Sequence, residues 1–371
     1  MMESPNLNAE SGLPRNVGIG IVGIGFMGMI HHLAASRLAG GRVSAICSRD
    51  PKKLAGDWTG IRGNFGPPGG QVDLTGVAAH SDFRALLDDP GVDLVDLCVP
   101  SDDHARLAIQ ALEAGKHVLV EKPIALSVAD GEAMVGAARS SGKLLMVGHV
   151  LPFFPEFAFA REAVGSGRYG SLRAAHLTRV ICRPEWSSGV ADADRSGGPA
   201  IDLHIHDTHF VGLVCGVPRA VQSRGVVEDG AVVYLSTQYL YDDPNLVVSA
   251  VSGAIGQAGR SFAHGFEFYL ERATLSFEFA NLAGQGHLAT PLSVILPDGT
   301  VERPELAGSG DPVDAFAAEL AAAVEAVATG AMSPTLSAEL ALQALKLCQA
   351  EVRGVREGRA VRLDEPAPPA R

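Results

Sequence analysis

Residues 17–22, Val-Gly-Ile-Gly-Ile-Val, form a short apolar run that leads straight into Gly23-Ile24-Gly25-Phe26-Met27-Gly28. Three glycines at this spacing, between a strand and an amphipathic helix, suit few folds. The first permits a tight turn, the second lets backbone approach a pyrophosphate, and the third lets the helix pack closely on the strand. The helix N-terminus then offers free N–H groups and a positive dipole end to phosphate. A GxGxxG alone recurs by chance, so the flanks carry the reading. Helical spacing over 26–38 is closed by Gly40-Gly41, and a second apolar run, 43–47, follows. It ends about 20 residues beyond the loop, as a dinucleotide fold requires. Gly23, Gly25, Phe26, Met27 and Gly28 are the expected cradle of a nicotinamide dinucleotide.

The end of that second run bears on which dinucleotide. An acidic residue there would bond the ribose 2′-hydroxyl of NAD(H). This chain has Ser48 and Arg49, with Lys52 and Lys53 nearby, which suit a 2′-phosphate. NADP(H) is therefore favoured over NAD(H), although Asp50 weakens the positive field and NAD(H) stays open.

Up to about residue 150, apolar runs alternate with helical spacing. The runs are 94–99, ended by Pro100, then 118–120 and 144–147. The helical segments are 104–114, closed by Gly115, and 127–139, with Ser127 as N-cap. Such alternation implies a parallel sheet covered on both faces. Residues 58–76 are rich in glycine and read as a long loop or insertion. Beyond 150, the segments 172–181, 221–227, 231–241, 246–251, 266–270 and 274–279 read as strands, several alternating apolar with polar. One helix is expected over 201–215 and two alanine-rich helices over 312–329 and 337–356.

A chain of 371 residues exceeds the roughly 250–300 that one core spans. The expected fold is an α/β Rossmann domain, a doubly wound parallel sheet over 16–150. An α+β domain with a large, mostly antiparallel open sheet follows over 151–363. Residues 1–15 and 364–371 read as tails. The C-terminal helices are apolar enough to pack on the first domain or on a partner subunit, and both readings stand.

The net charge of −12 argues against nucleic acid or an anionic membrane surface as partner. Five scattered cysteines without a CxxC argue against a disulfide framework and for a reducing cytoplasm. Residues 1–16 lack the apolar core of a secretory signal, and no run suits a membrane span.

Two places carry chemistry. Glu121-Lys122-Pro123 ends an apolar strand, where open α/β sheets bind ligands. Lys122 there can stabilise a developing alkoxide; the plainer alternative is a surface lysine in a turn. The second is Asp202-Leu203-His204-Ile205-His206-Asp207-Thr208-His209. On a continuous helix, turning about 100° per residue, Asp202, His206 and His209 share one face. His206 is the expected base and Asp202 the group that orients it. Helix packing and a zinc site are the alternatives. The helix splits the histidines between faces, so no metal is expected.

Together these pieces resemble the Gfo/Idh/MocA oxidoreductase family, named for glucose–fructose oxidoreductase and inositol dehydrogenase. The resemblance covers about residues 16–363. It rests on Gly23–Gly28, Cys98-Val99-Pro100-Ser101 with His104, Glu121-Lys122-Pro123, Gly148 through Pro155, and Asp202 with His206. It implies hydride transfer between a nicotinamide cofactor and a sugar, inositol or related polyol, in a homo-oligomer (dimer or tetramer). It implies Lys122 as catalytic lysine, Asp202 as substrate-binding aspartate and His206 as catalytic histidine. Pro100, Ser101 and His104 would line the nicotinamide and Glu121 would contact its ribose. Three departures fall near the implied substrate pocket. Val150, preceded by His149, replaces an asparagine; His204 replaces a glycine; His209 replaces an aspartate. His149, His204 and His209 are thus the expected substrate-binding set. Two other activities fit the same resemblance: a glycosidase that oxidises its substrate only transiently, and a non-catalytic dinucleotide-binding regulator.

Overall fold

The computed structural model describes residues 16–183 and 197–365, so the tail expected over 1–15 and most of that over 364–371 lie outside the described residues. Val17–Val22 (β1) is buried along its whole length, as a strand between two helical layers must be. Its glycines admit close neighbours: a Cβ on Gly18 would stand 1.9 Å from the Gly91 carbonyl oxygen. Beside it lie Gly41–Cys47 (β2), Ala78–His80 (β3), Leu94–Leu97 (β4), His117–Glu121 (β5) and Leu145–Gly148 (β6). The order is β3-β2-β1-β4-β5-β6 with every pair parallel. This is the expected doubly wound sheet, with its crevice at the carboxyl ends of β1 and β4.

The connecting helices are Phe26–Ala35 (α1), Pro51–Leu54 (α2), Phe83–Leu87 (α3), His104–Glu113 (α4) and Val128–Ser141 (α5). Ser127 caps α5 as expected, its hydroxyl accepting from the Asp130 N–H, and Gly142 closes the helix in the left-handed conformation. The short β3 and α3 had no periodicity to reveal them in the sequence.

Pro155–Gly165 (α6), also unforeseen, begins on a proline at its first helical position. The second sheet is built from Leu172–Cys182 (β7), Ala220–Glu228 (β8), Ala231–Leu240 (β9), Val247–Gly256 (β10), Arg260–Leu270 (β11), Ala273–Leu282 (β12), Gln285–Ile295 (β13), Val301–Glu302 (β14) and Ala360–Arg362 (β15). Its order is β14-β13-β12-β11-β7-β10-β9-β8-β15. Only β7 and β10 run parallel; the other pairs are antiparallel, as expected. β13 escapes the strand pattern because its first half is exposed and shows no apolar–polar alternation.

The helix expected over 201–215 is broken. Pro199–Asp202 (α7) stops, Leu203 and His204 intervene, and Ile205–Cys215 (α8) starts afresh. Leu203 and His204 keep right-handed helical dihedrals across this interruption. Val313–Thr329 (α9) packs on α1, and its Phe316, Leu320 and Ala323 join the core that holds β1. Ala338–Glu357 (α10) lies against α5, α8 and β8. Both C-terminal helices thus pack within their own chain, and α9 settles on the parallel sheet's layer. A separate core fills the space between one face of the nine-stranded sheet and α6 with α8. No described helix is long and apolar enough to cross a membrane.

Candidate active site

Gly23 stands at φ +91°, a turn that favours glycine, and a Cβ on it would lie 2.7 Å from the Cys98 carbonyl oxygen. A Cβ on Gly25 would meet nothing, so the N-terminus of α1 faces open space. A Cβ on Gly28 would lie 2.2 Å from the Gly23 carbonyl oxygen. The three glycines thus meet the three demands of a pyrophosphate cradle, and the residues present fit a dinucleotide. Gly28→Ala is expected to push α1 off β1 and weaken dinucleotide affinity by about tenfold or more, which is about 1.4 kcal/mol. Calorimetric titration with NAD(H) and NADP(H) reads this directly; unchanged affinity for both would contradict it.

A cavity of about 430 Å³ adjoins the cradle, lined by Gly25, Asp50, Lys52, Lys53, Trp58 and Arg62 among others. The insertion at 58–76 builds its outer wall. Trp58 is buried, its indole N–H donating to the Lys53 carbonyl at 2.9 Å and its ring edge-on to His32. Gly63 lies flat on the Phe26 ring, and Phe65 meets that ring edge-on at 4.9 Å. Ser48 turns its hydroxyl to the Asp50 N–H, while Arg49 stays exposed.

At the end of β5, the Lys122 ammonium donates to Asp202 twice, to Oδ1 at 2.7 Å and to the carbonyl at 2.9 Å. The expected partnership of Asp202 with His206 is corrected here. The Asp202 carboxylate is taken by Lys122, and among the described residues no hydrogen bond joins it to His206. Glu121 is buried; Oε2 accepts from the Lys122 N–H, and Oε1 lies 3.1 Å from His31 Nε2. His31, on α1, bonds Asp96 Oδ2 through Nδ1 at 2.8 Å. Burial lowers the His31 pKa, but the charge and hydrogen bond of Asp96 outweigh it and raise it well above the usual histidine value. Burial and the neighbouring Glu121 push Glu319 well up. This His31 network links the cradle helix to the strand that carries Lys122; the sequence reading missed it. Its one signal was a histidine on the buried side of an otherwise apolar helix.

His104 is buried with its two ring nitrogens on backbone carbonyls, Nδ1 on Pro123 at 2.8 Å and Nε2 on Val99 at 3.0 Å. It ties the ends of β4 and β5 together and so fixes the turn that carries Lys122. Pro100 and Ser101 lead into a short 3-10 turn beside it.

His206 is held well below the usual histidine pKa by burial, then by the positive charges of Lys122 and Arg179. It is a neutral imidazole near pH 7. Next to it, His149 and His209 stack face to face, with ring centroids 3.9 Å apart and planes 5° apart. Both are buried, and none of their four ring nitrogens has a partner. Burial pushes His209 down to about 3. Orphaned buried polar atoms of this kind mark a place where water or substrate is expected.

His204 is the exception in the expected substrate-binding set. It turns into the core, where Nδ1 bonds Ser252 Oγ at 2.5 Å and Nε2 lies 3.1 Å from Glu351. It lies in the break between α7 and α8, and there it ties the chain to β10 and α10. Asp207, on α8, pairs with Arg179 of β7 through Nε at 2.8 Å and Nη2 at 3.1 Å, both side chains nearly fully buried. Arg179 and Asp207 were not foreseen; the pair fixes the first turn of α8 and hence His206.

Residues 17–149 match the family described as "Oxidoreductase family, NAD-binding Rossmann fold", Gfo/Idh/MocA. Inositol 2-dehydrogenase from Rhizobium meliloti is 27% identical over 94% of this chain and 99% of its own length. The 1-carboxy-3-chloro-3,4-dihydroxycyclohexa-1,5-diene dehydrogenase of Comamonas testosteroni is 33% identical over 53% of this chain. That match spans about half of the Comamonas protein, 47%. A solved oxidoreductase from Agrobacterium radiobacter, in complex with NAD+, L-tartaric acid and magnesium, superposes with a TM-score of 0.77 at 18% identity, over 94% of this chain and 98% of that one. It shares the fold. Residues 17–149, which hold the glycine cradle and the Glu121-Lys122-Pro123 strand end, belong to the Gfo/Idh/MocA family of oxidoreductases.

Proposed function

We propose that this chain is a dehydrogenase that uses NADP(H) in preference to NAD(H) and acts on a secondary alcohol of a sugar, inositol or related polyol. The observation that carries the reading is the pairing of a fixed ammonium, Lys122, with a neutral imidazole, His206, beside the dinucleotide cradle. The bound nicotinamide supplies the hydride acceptor or donor. An ammonium has three donors; Asp202 takes two of those of Lys122, leaving one for a substrate oxygen. His206, unprotonated, takes the hydroxyl proton, and Lys122 stabilises the oxygen as negative charge develops. The His149–His209 pair offers its unpartnered nitrogens to the remaining hydroxyls. Support for NADP(H) comes from Lys52, Lys53 and Arg62 around the adjoining cavity and from the lack of an acidic residue at positions 48 and 49.

The test is a panel of sugars, inositols and sugar acids with each cofactor, followed at the reduced-nicotinamide absorbance. Turnover of a polyol, faster with NADP, is expected; no response from any hydroxyl compound would contradict the reading. The pH profile gives a second check. Protonated His206 cannot act as base, and its pKa in the folded chain lies below the ordinary value of about 6.5. Oxidation is therefore expected to keep its kcat/KM through pH 6.5 and fall only at more acid pH. In Lys122→Met, where a neighbouring positive charge is gone, the acid limb of the residual activity moves to higher pH. A wild-type limb above 6.5 would show that His206 is not the base.

A further inference from the structure

The face of the nine-stranded sheet that carries α8 also walls a cleft of about 450 Å³. Its lining is dominated by Ile181 of β7, Phe262 of β11, Phe277 and Phe279 of β12, Phe154 ahead of α6, and Phe65 of the insertion. Two features join this cleft to the reacting groups. Phe65 meets Phe26 of the glycine cradle edge-on at 4.9 Å. Arg179 and His264 line the cleft, and Arg179 bonds Asp207, the residue that follows His206. Arg179 is committed to Asp207, and His264 keeps a buried Nδ1 without a partner.

A site that encloses a whole sugar or inositol must meet a hydroxyl on nearly every ring carbon, because a buried hydroxyl left unpaired is costly. Phenylalanine and isoleucine side chains offer no such partner. They offer aromatic faces and edges, which suit a flat apolar ring. Glu156, Asp311 and Asp314 also line the cleft, the two aspartates paired with Arg37, and Arg179 in the lining is held by Asp207, so the lining offers an anionic ring no unpaired arginine. We propose that this cleft is a subsite for a neutral, apolar, aryl-sized group that the substrate carries next to its reacting hydroxyl. The proposal rests on the reading of Lys122 and His206 as the reacting pair. Two sources share this chemistry: an aryl group linked to a sugar, or a hydrocarbon ring that itself bears the reacting diol.

The experiment is calorimetric titration of the NADP-loaded protein with two matched pairs. One pair is phenyl β-D-glucopyranoside against methyl β-D-glucopyranoside; the other is trans-cyclohexane-1,2-diol against myo-inositol. The apolar member of at least one pair is expected to bind about tenfold or more tightly than its polar match. The pair that shows this identifies the source. In Phe279→Ala, and in Leu288→Asp at the exposed end of the lining, the advantage is expected to fall to about threefold or less. Leu288→Asp keeps the result readable where Phe279→Ala fails to fold. Equal binding within both pairs, no binding by either apolar member, or an advantage that survives Leu288→Asp overturns the proposal. Binding preference is read without turnover, so the dehydrogenase reading, tested by nicotinamide absorbance, fails or stands separately.

Discussion

Lys122→Ala and His206→Ala are each expected to lower kcat by about 10²–10⁴-fold while dinucleotide affinity stays within about twofold of wild type. The reason is geometric. Neither side chain belongs to the glycine cradle, so removing either leaves the phosphate contacts of α1 intact. His206→Ala removes the proposed proton acceptor. Lys122→Ala removes the cation proposed to steady the oxygen, and it also frees the Asp202 carboxylate from its ion pair. The loss in Lys122→Ala is therefore expected to be the larger. Single-turnover kinetics with the best substrate from the polyol panel, alongside titration of the cofactor, separates the two effects. Full turnover by both variants would remove both residues from the reaction.

The second large effect concerns stability. Asp207→Ala leaves the Arg179 guanidinium buried without its carboxylate and is expected to cost about 3–5 kcal/mol of unfolding free energy. Nearly the whole pair is shielded from solvent, so screening by water recovers little. Replacing both partners with apolar residues, Arg179→Met with Asp207→Leu, removes the stranded charge and is expected to restore most of that loss. Chemical denaturation of the wild type, Asp207→Ala and the double variant measures this, with a double variant no more stable than Asp207→Ala as the contrary result. Asp207 follows His206 directly, so Asp207→Ala is also expected to loosen the base and lower kcat at temperatures where the protein stays folded.

The parts of this molecule that depend on local pattern were legible in the sequence. The cradle glycines, the parallel strands and Ser127 as a cap all follow from neighbours a few residues apart. Lys122 was placed correctly at a strand end for the same reason. Reading failed where distant segments meet. Asp202 was assigned to His206, four residues away, but it bonds Lys122, eighty positions distant. Spacing along 201–215 shows which residues are neighbours in sequence, but the lysine that takes the Asp202 carboxylate comes from the end of β5. A break of two residues carries no strong sequence mark here, because neither Leu203 nor His204 is a helix breaker. Arg179 and His31 were invisible because a charged or titratable residue in a strand or helix declares its partner only in three dimensions. The phenylalanine-lined cleft was hidden in the same way, its walls drawn from residues 65, 154, 262, 277 and 279.

Deuterium transfer is the most direct test that this site moves a hydride between an alcohol carbon and the nicotinamide with His206 as base. A polyol that turns over, deuterated at its carbinol carbons, is incubated with the protein and NADP, and the cofactor is analysed by mass spectrometry. Reduced cofactor carrying one deuterium is expected to accumulate with the wild-type protein and to be nearly lost in His206→Ala. Accumulation at an equal rate in both proteins, or a cofactor that stays unlabelled while the substrate is consumed, would contradict it.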